Sequence, residues 1–215
     1  MSVQGVIFDL DGVIVSTDEY HYRAWKRLAD EQGIPFERTD NRRLRGVSRM
    51  KSLEILLEKA DRTYSDEEKQ ELADRKNGYY RSSLQHLSSD DLLPGAMAVM
   101  KELREHGAGL AVASSSRNAP LILQRLDLDD FFDAEADGND IARSKPDPEV
   151  FEVAAKRLDL PPEACVVVED ADAGIEAAKR GGMKALAVGP AAGHAKADLS
   201  AKGLDAVSAE QLLAL

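Results

Sequence analysis

The sequence has a single cysteine, Cys165, and few aromatic residues: one tryptophan, five tyrosines and five phenylalanines among 215 residues. One cysteine excludes an intramolecular disulfide, and because Cys165 opens an apolar run we expect a buried, inert thiol rather than a nucleophile. No apolar run approaches the roughly 18 residues that a membrane span needs. No basic segment followed by an apolar run marks the N-terminus as a targeting signal. We therefore expect a cytoplasmic protein that does not bind membranes.

Positive charge is also scarce. Lysine and arginine number 28 against 39 aspartates and glutamates, so the formal net charge is -11. Such a surface repels a nucleic-acid backbone, and an anionic substrate would need a locally positive pocket. Hydrophobic residues at 43% and charged residues at 31% are typical of a soluble globular protein. A chain of this length can hold one good domain and a smaller insert, and we expect a monomer without nucleic-acid partners.

One stretch near the N-terminus ends an apolar run in two carboxylates: Val6-Ile7-Phe8 is followed by Asp9, Leu10, Asp11 and Gly12. The run predicts a buried central strand of a parallel sheet, and an open α/β sheet places its site at the carboxyl end of such strands. Gly12 permits a turn directly after the second acid. Carboxylates held this close repel unless a cation or a proton lies between them. The alternative is an ordinary turn with two solvated acids.

The remaining chain divides by its periodicity. Residues 16–92 show helical spacing and no convincing strand, whereas strands and helices alternate from residue 93 onward. We therefore predict an α/β fold with a parallel-sheet core of residues 1–15 and 93–215 and a helical cap of residues 16–92. Three hydroxyl residues are predicted N-caps of the cap helices: Thr17, Ser48 and Ser65. A last short strand and helix are predicted around Ala206 and Ser208.

Further polar residues follow the later apolar runs. Ser114 follows one run, Lys145 lies in Ser-Lys-Pro, and Glu169 with Asp170 follows another. Taken alone, Lys145 would be a solvated loop lysine. The order Asp-x-Asp-Gly, Ser, Lys and Glu-Asp resembles the haloacid dehalogenase superfamily of phosphoryl-transfer enzymes, and the resemblance covers the whole chain.

This resemblance implies a Rossmann-like core, a cap and a role for each motif residue. Asp9 would be the nucleophile and Asp11 a general acid/base. Ser114 and Lys145 would hold the phosphoryl group. Magnesium would be bound by Asp9, Asp170 and the backbone carbonyl of Asp11, with Glu169 a direct or water-mediated ligand, since Mg²⁺ prefers hard oxygen ligands.

The cap contains Glu19-Tyr20-His21, Arg23-Ala24-Trp25 and Leu44-Arg45-Gly46-Val47-Ser48-Arg49, and the core contains Ser114-Ser115-Ser116-Arg117-Asn118. These stretches are similar to the phosphoglucomutase branch of this superfamily. That similarity implies a sugar site made by His21, Trp25, Arg45, Gly46, Val47, Ser52 and Lys76. It implies a hinge at Ser16 and Thr17. It implies that Ser114 and the Ser115 amide hold the transferring group, and that the distal phosphate is held by Arg49, Ser116, Arg117 and Asn118. On residue type alone, Trp25 would be cap core and His21 a satisfied or surface histidine.

The expected reaction is interconversion of β-D-glucose 1-phosphate and glucose 6-phosphate through β-glucose 1,6-bisphosphate and an aspartyl-phosphate enzyme. One alternative is a sugar-phosphate phosphatase, in which water attacks the phosphoenzyme, and another is an inactive sugar-phosphate sensor. Three residues depart from the pattern: Ser16 replaces an expected aspartate, and Arg45 and Arg117 replace expected lysines. The arginines keep the charge but change its shape, which affects sugar and phosphate geometry.

Overall fold

The computed structural model describes residues 2–44 and 47–215, so the expectations for Arg45 and Gly46 lie outside the described residues. The chain separates into two compact units. The core unit comprises Met1–Ser16 and Ser88–Leu215, and the cap unit comprises Thr17–Leu87.

A parallel sheet forms the centre of the core unit. In the described part of the chain its strands are β1 Gly5–Phe8, β2 Gly109–Ala113, β3 Ala134–Ala136, β4 Cys165–Glu169, β5 Lys184–Ala187 and β6 Leu199–Ser200. Their order is β3-β2-β1-β4-β5-β6, and every neighbouring pair is parallel. The predicted α/β fold with a parallel-sheet core is confirmed.

Strand β1 lies inside the sheet with all four residues buried, which explains its uninterrupted apolar sequence. Phe8 is in register with Val112 of β2 and Val168 of β4. The carboxyl ends of these three strands therefore lie side by side.

The described helices fall into two groups: four lie in the cap unit, and the other five are interspersed with the strands of the core unit. They are α1 Asp18–Glu31, α2 Arg38–Asn41, α3 Arg49–Leu57, α4 Asp66–Ser83, α5 Ala96–Glu105, α6 Ala119–Arg125, α7 Glu149–Arg157, α8 Asp172–Arg180 and α9 Ala209–Leu213. Helices α7 and α8 pack on one face of the sheet through buried side chains that include Phe151 and Ile175. None of the described helices is long and apolar enough to cross a membrane.

The cap unit has its own hydrophobic core. Trp25 and Leu28 of α1 pack with Leu53 and Leu56 of α3 and with Leu72 of α4. The Ser48 hydroxyl caps α3 by accepting from the Lys51 N–H, and Ser65 caps α4 in the same way through Glu68, as predicted.

Two local predictions are wrong. The Thr17 hydroxyl does not cap α1; it accepts a hydrogen bond from the Tyr80 hydroxyl at 3.1 Å, so a distant partner replaces the local one. The last strand is Leu199–Ser200, and Ala206 lies in a single 3₁₀ turn. That strand has only two residues and no apolar run, so its sequence carries little strand signal.

Candidate active site

Three carboxylates meet at the carboxyl ends of β1 and β4. Asp9 directly follows β1, and its N–H donates to the Val168 carbonyl at 2.9 Å. Glu169 is the last residue of β4 and is only 1% exposed, and Asp170 beside it is half-buried. One oxygen from each carboxylate lies within 4.8 Å of the others. A set of three closely spaced, hard oxygen donors fits a divalent cation such as Mg²⁺.

Lys145 enters this carboxylate cluster from the segment between β3 and α7. Its Nζ donates to Asp9 Oδ1 and, at 2.7 Å, to Glu169 Oε2, and the residue is buried. Burial would lower the pKa of Lys145, but the two carboxylates more than offset this and leave its pKa raised. The ammonium therefore stays charged, and the solvated-loop alternative does not hold for this lysine.

The carboxylates carry more negative charge than one lysine can neutralise. Burial raises the pKa of Glu169, and the nearby charge of Asp9 raises it further. Burial likewise raises the pKa of Asp170, with added repulsion from Asp9, Glu169 and Asp11. Protons or a cation must balance this charge near neutral pH.

Two glycines allow the backbone to approach these acids. A Cβ on Gly12, whose φ is +90°, would lie 2.1 Å from Asp170 Oδ2. A Cβ on Gly174 in α8 would lie 1.9 Å from Glu169 Oε2. The sequence predicted the turn at Gly12, but Gly174 was missed. The pattern that could have identified it is the position of a glycine one helical turn after the Glu-Asp pair.

Asp11 lies in the turn that follows β1. It is half-buried and forms an isolated backbone bridge with Val15. Its charge contributes to the raised pKa of Asp170, and the next residue in the turn, Gly12, closely approaches the Asp170 carboxylate. The structure thus brings Asp11 close to the carboxylate cluster without making it a member.

The segment after β2 is held by its own polar groups. The buried Ser114 accepts at Oγ from the Ser116 N–H at 3.1 Å, and Ser116 Oγ accepts from the Asn118 N–H at 3.2 Å. Arg117 Nε donates to the Gly138 carbonyl at 3.2 Å. Among the described residues, the buried Ser115 hydroxyl oxygen has no hydrogen-bond partner. Since Ser114 accepts with its oxygen, its own O–H can be donated to an anion.

A second cluster lies within the cap unit. Lys76 Nζ lies 2.8 Å from His21 Nδ1, and the His21 ring stacks on Tyr80 with centroids 4.1 Å apart. Lys76 Nζ also lies 4.6 Å from the centre of the Trp25 ring. Burial, then the charges of Lys76 and Arg49, lowers the pKa of His21 well below its usual value. Because an ammonium can only donate, neutral His21 accepts at Nδ1 and carries its proton on Nε2.

Tyr80 was missed by sequence reasoning, although it lies one helical turn after Lys76 on α4 and could have been found by that spacing. Trp25 is 2% exposed and belongs to the cap core. Ser52 is buried, and Val47 is half-buried. Arg49 Nη1 lies 3.7 Å from Asp74 Oδ1.

The hinge prediction falls at the boundary between the units. Ser16 is exposed and ends the first segment of the core unit, and Thr17 is buried and begins the cap unit. The sequence-predicted residues therefore form a carboxylate and lysine cluster in one unit and a histidine and lysine cluster in the other.

Known proteins resemble this chain along most of its length. A family model described as haloacid dehalogenase-like hydrolase matches residues 3–182. A protein named Beta-phosphoglucomutase from Bacillus subtilis (strain 168) is 47% identical over 199 residues, which cover 92% of this chain and 88% of that protein. A Phosphorylated carbohydrates phosphatase from Thermotoga maritima is 32% identical over 215 residues, covering 98% and 97%.

A solved structure has the same fold. The crystal structure of a beta-phosphoglucomutase from Clostridium difficile superposes with a TM-score of 0.89 at 38% identity, covering 94% of this chain and 92% of that one.

Proposed function

Because this chain belongs to the haloacid dehalogenase-like hydrolase family, we propose that it interconverts β-D-glucose 1-phosphate and glucose 6-phosphate through β-glucose 1,6-bisphosphate. The observation that carries phosphoryl transfer is the buried Asp9 carboxylate, which is hydrogen-bonded to Lys145 and lies beside Glu169 and Asp170. The choice of a mutase rests on the 47% identity to a relative named Beta-phosphoglucomutase.

In the proposed mechanism a carboxylate oxygen of Asp9 attacks the phosphorus atom. The bond from phosphorus to the donor oxygen breaks, and an aspartyl-phosphate forms. Asp11 donates its proton to the departing sugar oxygen. In the second half-reaction Asp11 removes the proton of the attacking sugar hydroxyl, whose oxygen takes the phosphoryl group and restores the Asp9 carboxylate. Ser114, the Ser115 amide and Lys145 hold the phosphoryl oxygens.

A bound Mg²⁺ would be held by Asp9, Glu169, Asp170 and the backbone carbonyl of Asp11. It would supply positive charge that offsets the charge developing on the phosphoryl oxygens. Lys145 contributes a second, fixed positive charge to the same group.

The cap unit is proposed to bind the sugar and to contribute Arg49 to the binding of the second phosphate. The sugar residues are His21, Trp25, Arg45, Gly46, Val47, Ser52 and Lys76. The second phosphate would be held by Arg49, Ser116, Arg117 and Asn118, and Ser16 with Thr17 would form the hinge. The remaining proposals are a cytoplasmic monomer whose ligands are a sugar phosphate and a sugar bisphosphate.

Phosphorus NMR tests the proposed reaction against its alternative. The protein is incubated with β-D-glucose 1-phosphate, Mg²⁺ and a trace of the bisphosphate. Glucose 6-phosphate without inorganic phosphate supports the mutase. Release of inorganic phosphate alone would favour a sugar-phosphate phosphatase, the activity named for the Thermotoga maritima relative.

Asp11→Asn is expected to lower turnover by about 10²- to 10⁴-fold, because the amide cannot relay a proton. Inorganic phosphate should bind almost unchanged, since the backbone carbonyl of residue 11 is retained. Stopped-flow assays and calorimetric titration measure the two properties separately. A loss below about fivefold in the chemical step would show that Asp11 is not the relay.

Mg²⁺ is expected to stabilise the protein more at high pH than at low pH. The raised pKa values of Glu169 and Asp170 mean that the metal-free folded state keeps protons that the unfolded chain releases above about pH 4. Metal-free stability therefore falls as pH rises from about 4 to about 8, and Mg²⁺ removes this deficit by replacing the protons.

Thermal unfolding with saturating MgCl₂ or with chelator measures this effect. We expect the gain in Tm at about pH 8 to exceed that at about pH 5.5 by about 2–4 °C or more. NaCl at equal ionic strength is the control and should give no comparable gain. An equal Mg²⁺-induced gain in Tm at the two pH values would contradict the displacement of protons by Mg²⁺.

A further inference from the structure

Hydrogen bonds fix the backbone on both sides of Lys145, in addition to the contacts that the lysine side chain makes. Glu149, the first residue of α7, accepts from the Ala142 N–H at 3.2 Å with Oε1 and from the Arg143 N–H at 2.9 Å with Oε2. One carboxylate thus binds two consecutive backbone amides just before Lys145. Hydrogen bonds from amides to a charged carboxylate are among the stronger ones in proteins.

Other groups hold the rest of this segment. The Glu149 N–H donates to Asp147 Oδ1 at 3.1 Å, and Arg143 Nε lies 2.9 Å from Asp147 Oδ2. On the far side of Lys145, Arg180 at the end of α8 donates to the Pro146 carbonyl at 3.2 Å. The backbone before and after Lys145 is therefore anchored to the two helices that cover one face of the sheet.

These backbone anchors differ from the side-chain contacts in one respect. Lys145 Nζ is positioned by Asp9 and Glu169, and in the proposed reaction Asp9 becomes phosphorylated to an aspartyl-phosphate. The contact of Lys145 with Asp9 must then change while the ammonium still faces the phosphoryl group. The bonds of Glu149 to the segment do not involve Asp9, so phosphorylation of Asp9 does not itself break them.

We propose that Glu149 is a positioning residue that fixes the backbone of residues 142–147 and thereby holds the Lys145 ammonium at the phosphoryl site. This inference rests on the proposed function, because it assigns Lys145 to a phosphoryl group. Glu149 acts through Lys145 and does not itself contact the reacting atoms.

If Glu149 only stabilised helix α7, its removal would also be expected to lower phosphate affinity to some extent. An acid in the first turn of a helix interacts favourably with the helix dipole. Glu152 lies in the same first turn of α7 and is exposed, so it matches Glu149 in charge and helix position. The variant Glu152→Ala is therefore the control for the dipole.

The first measurement is the affinity of the Mg²⁺-loaded full chain for inorganic phosphate, by calorimetric titration. We expect the dissociation constant to rise about tenfold for Glu149→Ala, about threefold for Glu149→Gln and less than about twofold for Glu152→Ala. Glutamine keeps one acceptor oxygen, so it should rescue part of the affinity. Failure of the parent protein to bind phosphate would overturn both the proposed function and this inference. Phosphate binding by the parent with equal affinity in Glu149→Ala would overturn the positioning role alone.

The second measurement is amide hydrogen exchange followed by NMR. In Glu149→Ala the amides of Ala142 and Arg143 should exchange at least about tenfold faster, because their acceptor is gone. The amides of Phe151 and Glu152, which donate to the Pro148 carbonyl, should keep their protection. Faster exchange throughout the first turn of α7, with no greater change at residues 142 and 143, would overturn the proposal in favour of helix fraying.

Discussion

Asp9→Asn is expected to reduce mutase turnover by about 10⁴-fold or more, because an amide oxygen is a poor nucleophile and cannot give a stable aspartyl-phosphate. A coupled assay for glucose 6-phosphate measures the rate, and intact-mass analysis after incubation with a phosphoryl donor measures the phosphoenzyme. The parent should acquire a phosphoryl adduct and the variant should not. Turnover reduced by less than about 10²-fold would remove Asp9 from the nucleophile's role.

The same variant should fold at least as well as the parent. Asparagine removes one negative charge from a site where Glu169 and Asp170 already have raised pKa values. Its amide oxygen can still accept from Lys145. We expect an unchanged or higher Tm in metal-free buffer. A Tm so low that the variant is unfolded under the assay conditions would show that Asp9 is needed for folding.

Lys145→Met is expected to damage both activity and stability. It removes a fixed cation from the phosphoryl site, which should cost about 10³-fold in turnover. It also leaves the carboxylates of Asp9 and Glu169 without their buried partner, and breaking a buried ion pair from one side typically costs about 3–5 kcal/mol of unfolding free energy. Urea unfolding in metal-free buffer measures this loss. Lys156→Met, an exposed substitution of the same type on α7, should stay within about 0.5 kcal/mol.

The double variant that combines Asp9→Asn with Lys145→Met separates the electrostatic contribution of Lys145 to stability from its packing contribution. With Asp9 already replaced by asparagine, Lys145→Met leaves one fewer unpaired carboxylate and should cost about 1–3 kcal/mol less than it does alone. Its turnover should be no higher than that of Asp9→Asn. The cost of Lys145→Met should also be smaller at low pH, because the stranded carboxylates can take up protons there. Equal costs in both backgrounds would mean that the lysine stabilises the fold through its aliphatic stem.

Sequence patterns predicted the fold wherever the determining interactions are local. Among the strands predicted after residue 93, β2 Gly109–Ala113 and β5 Lys184–Ala187 are present, and serine hydroxyls marked the starts of α3 and α4. Thr17 was misread because its hydroxyl bonds to Tyr80, 63 residues away, and no local pattern reports such a partner. Helix α2 was missed because its four residues are too few for a periodic signal.

For the site, motif order indicated which strand ends carry the polar groups, and the structure places Asp9, Lys145, Glu169 and Asp170 together. The roles inferred for these residues stay predictions. What motif order cannot report is how the backbone around them is held. The bonds of Glu149 to two amides and the close approach of Gly174 to Glu169 depend on how α7 and α8 pack against the sheet.

The strand order has a consequence for synthesis on the ribosome. The neighbours of β1 are β2 and β4, whose first residues are Gly109 and Cys165, so β1 emerges long before either partner exists. At about 5–20 residues per second, the wait for β4 is roughly ten seconds or more. The helical unit Thr17–Leu87 is continuous in sequence and can bury its own core during this interval. Nascent chains that stop before Cys165 leave one edge of an apolar strand unpaired, and such edges favour aggregation. The fold therefore depends on late-emerging residues to protect its earliest strand.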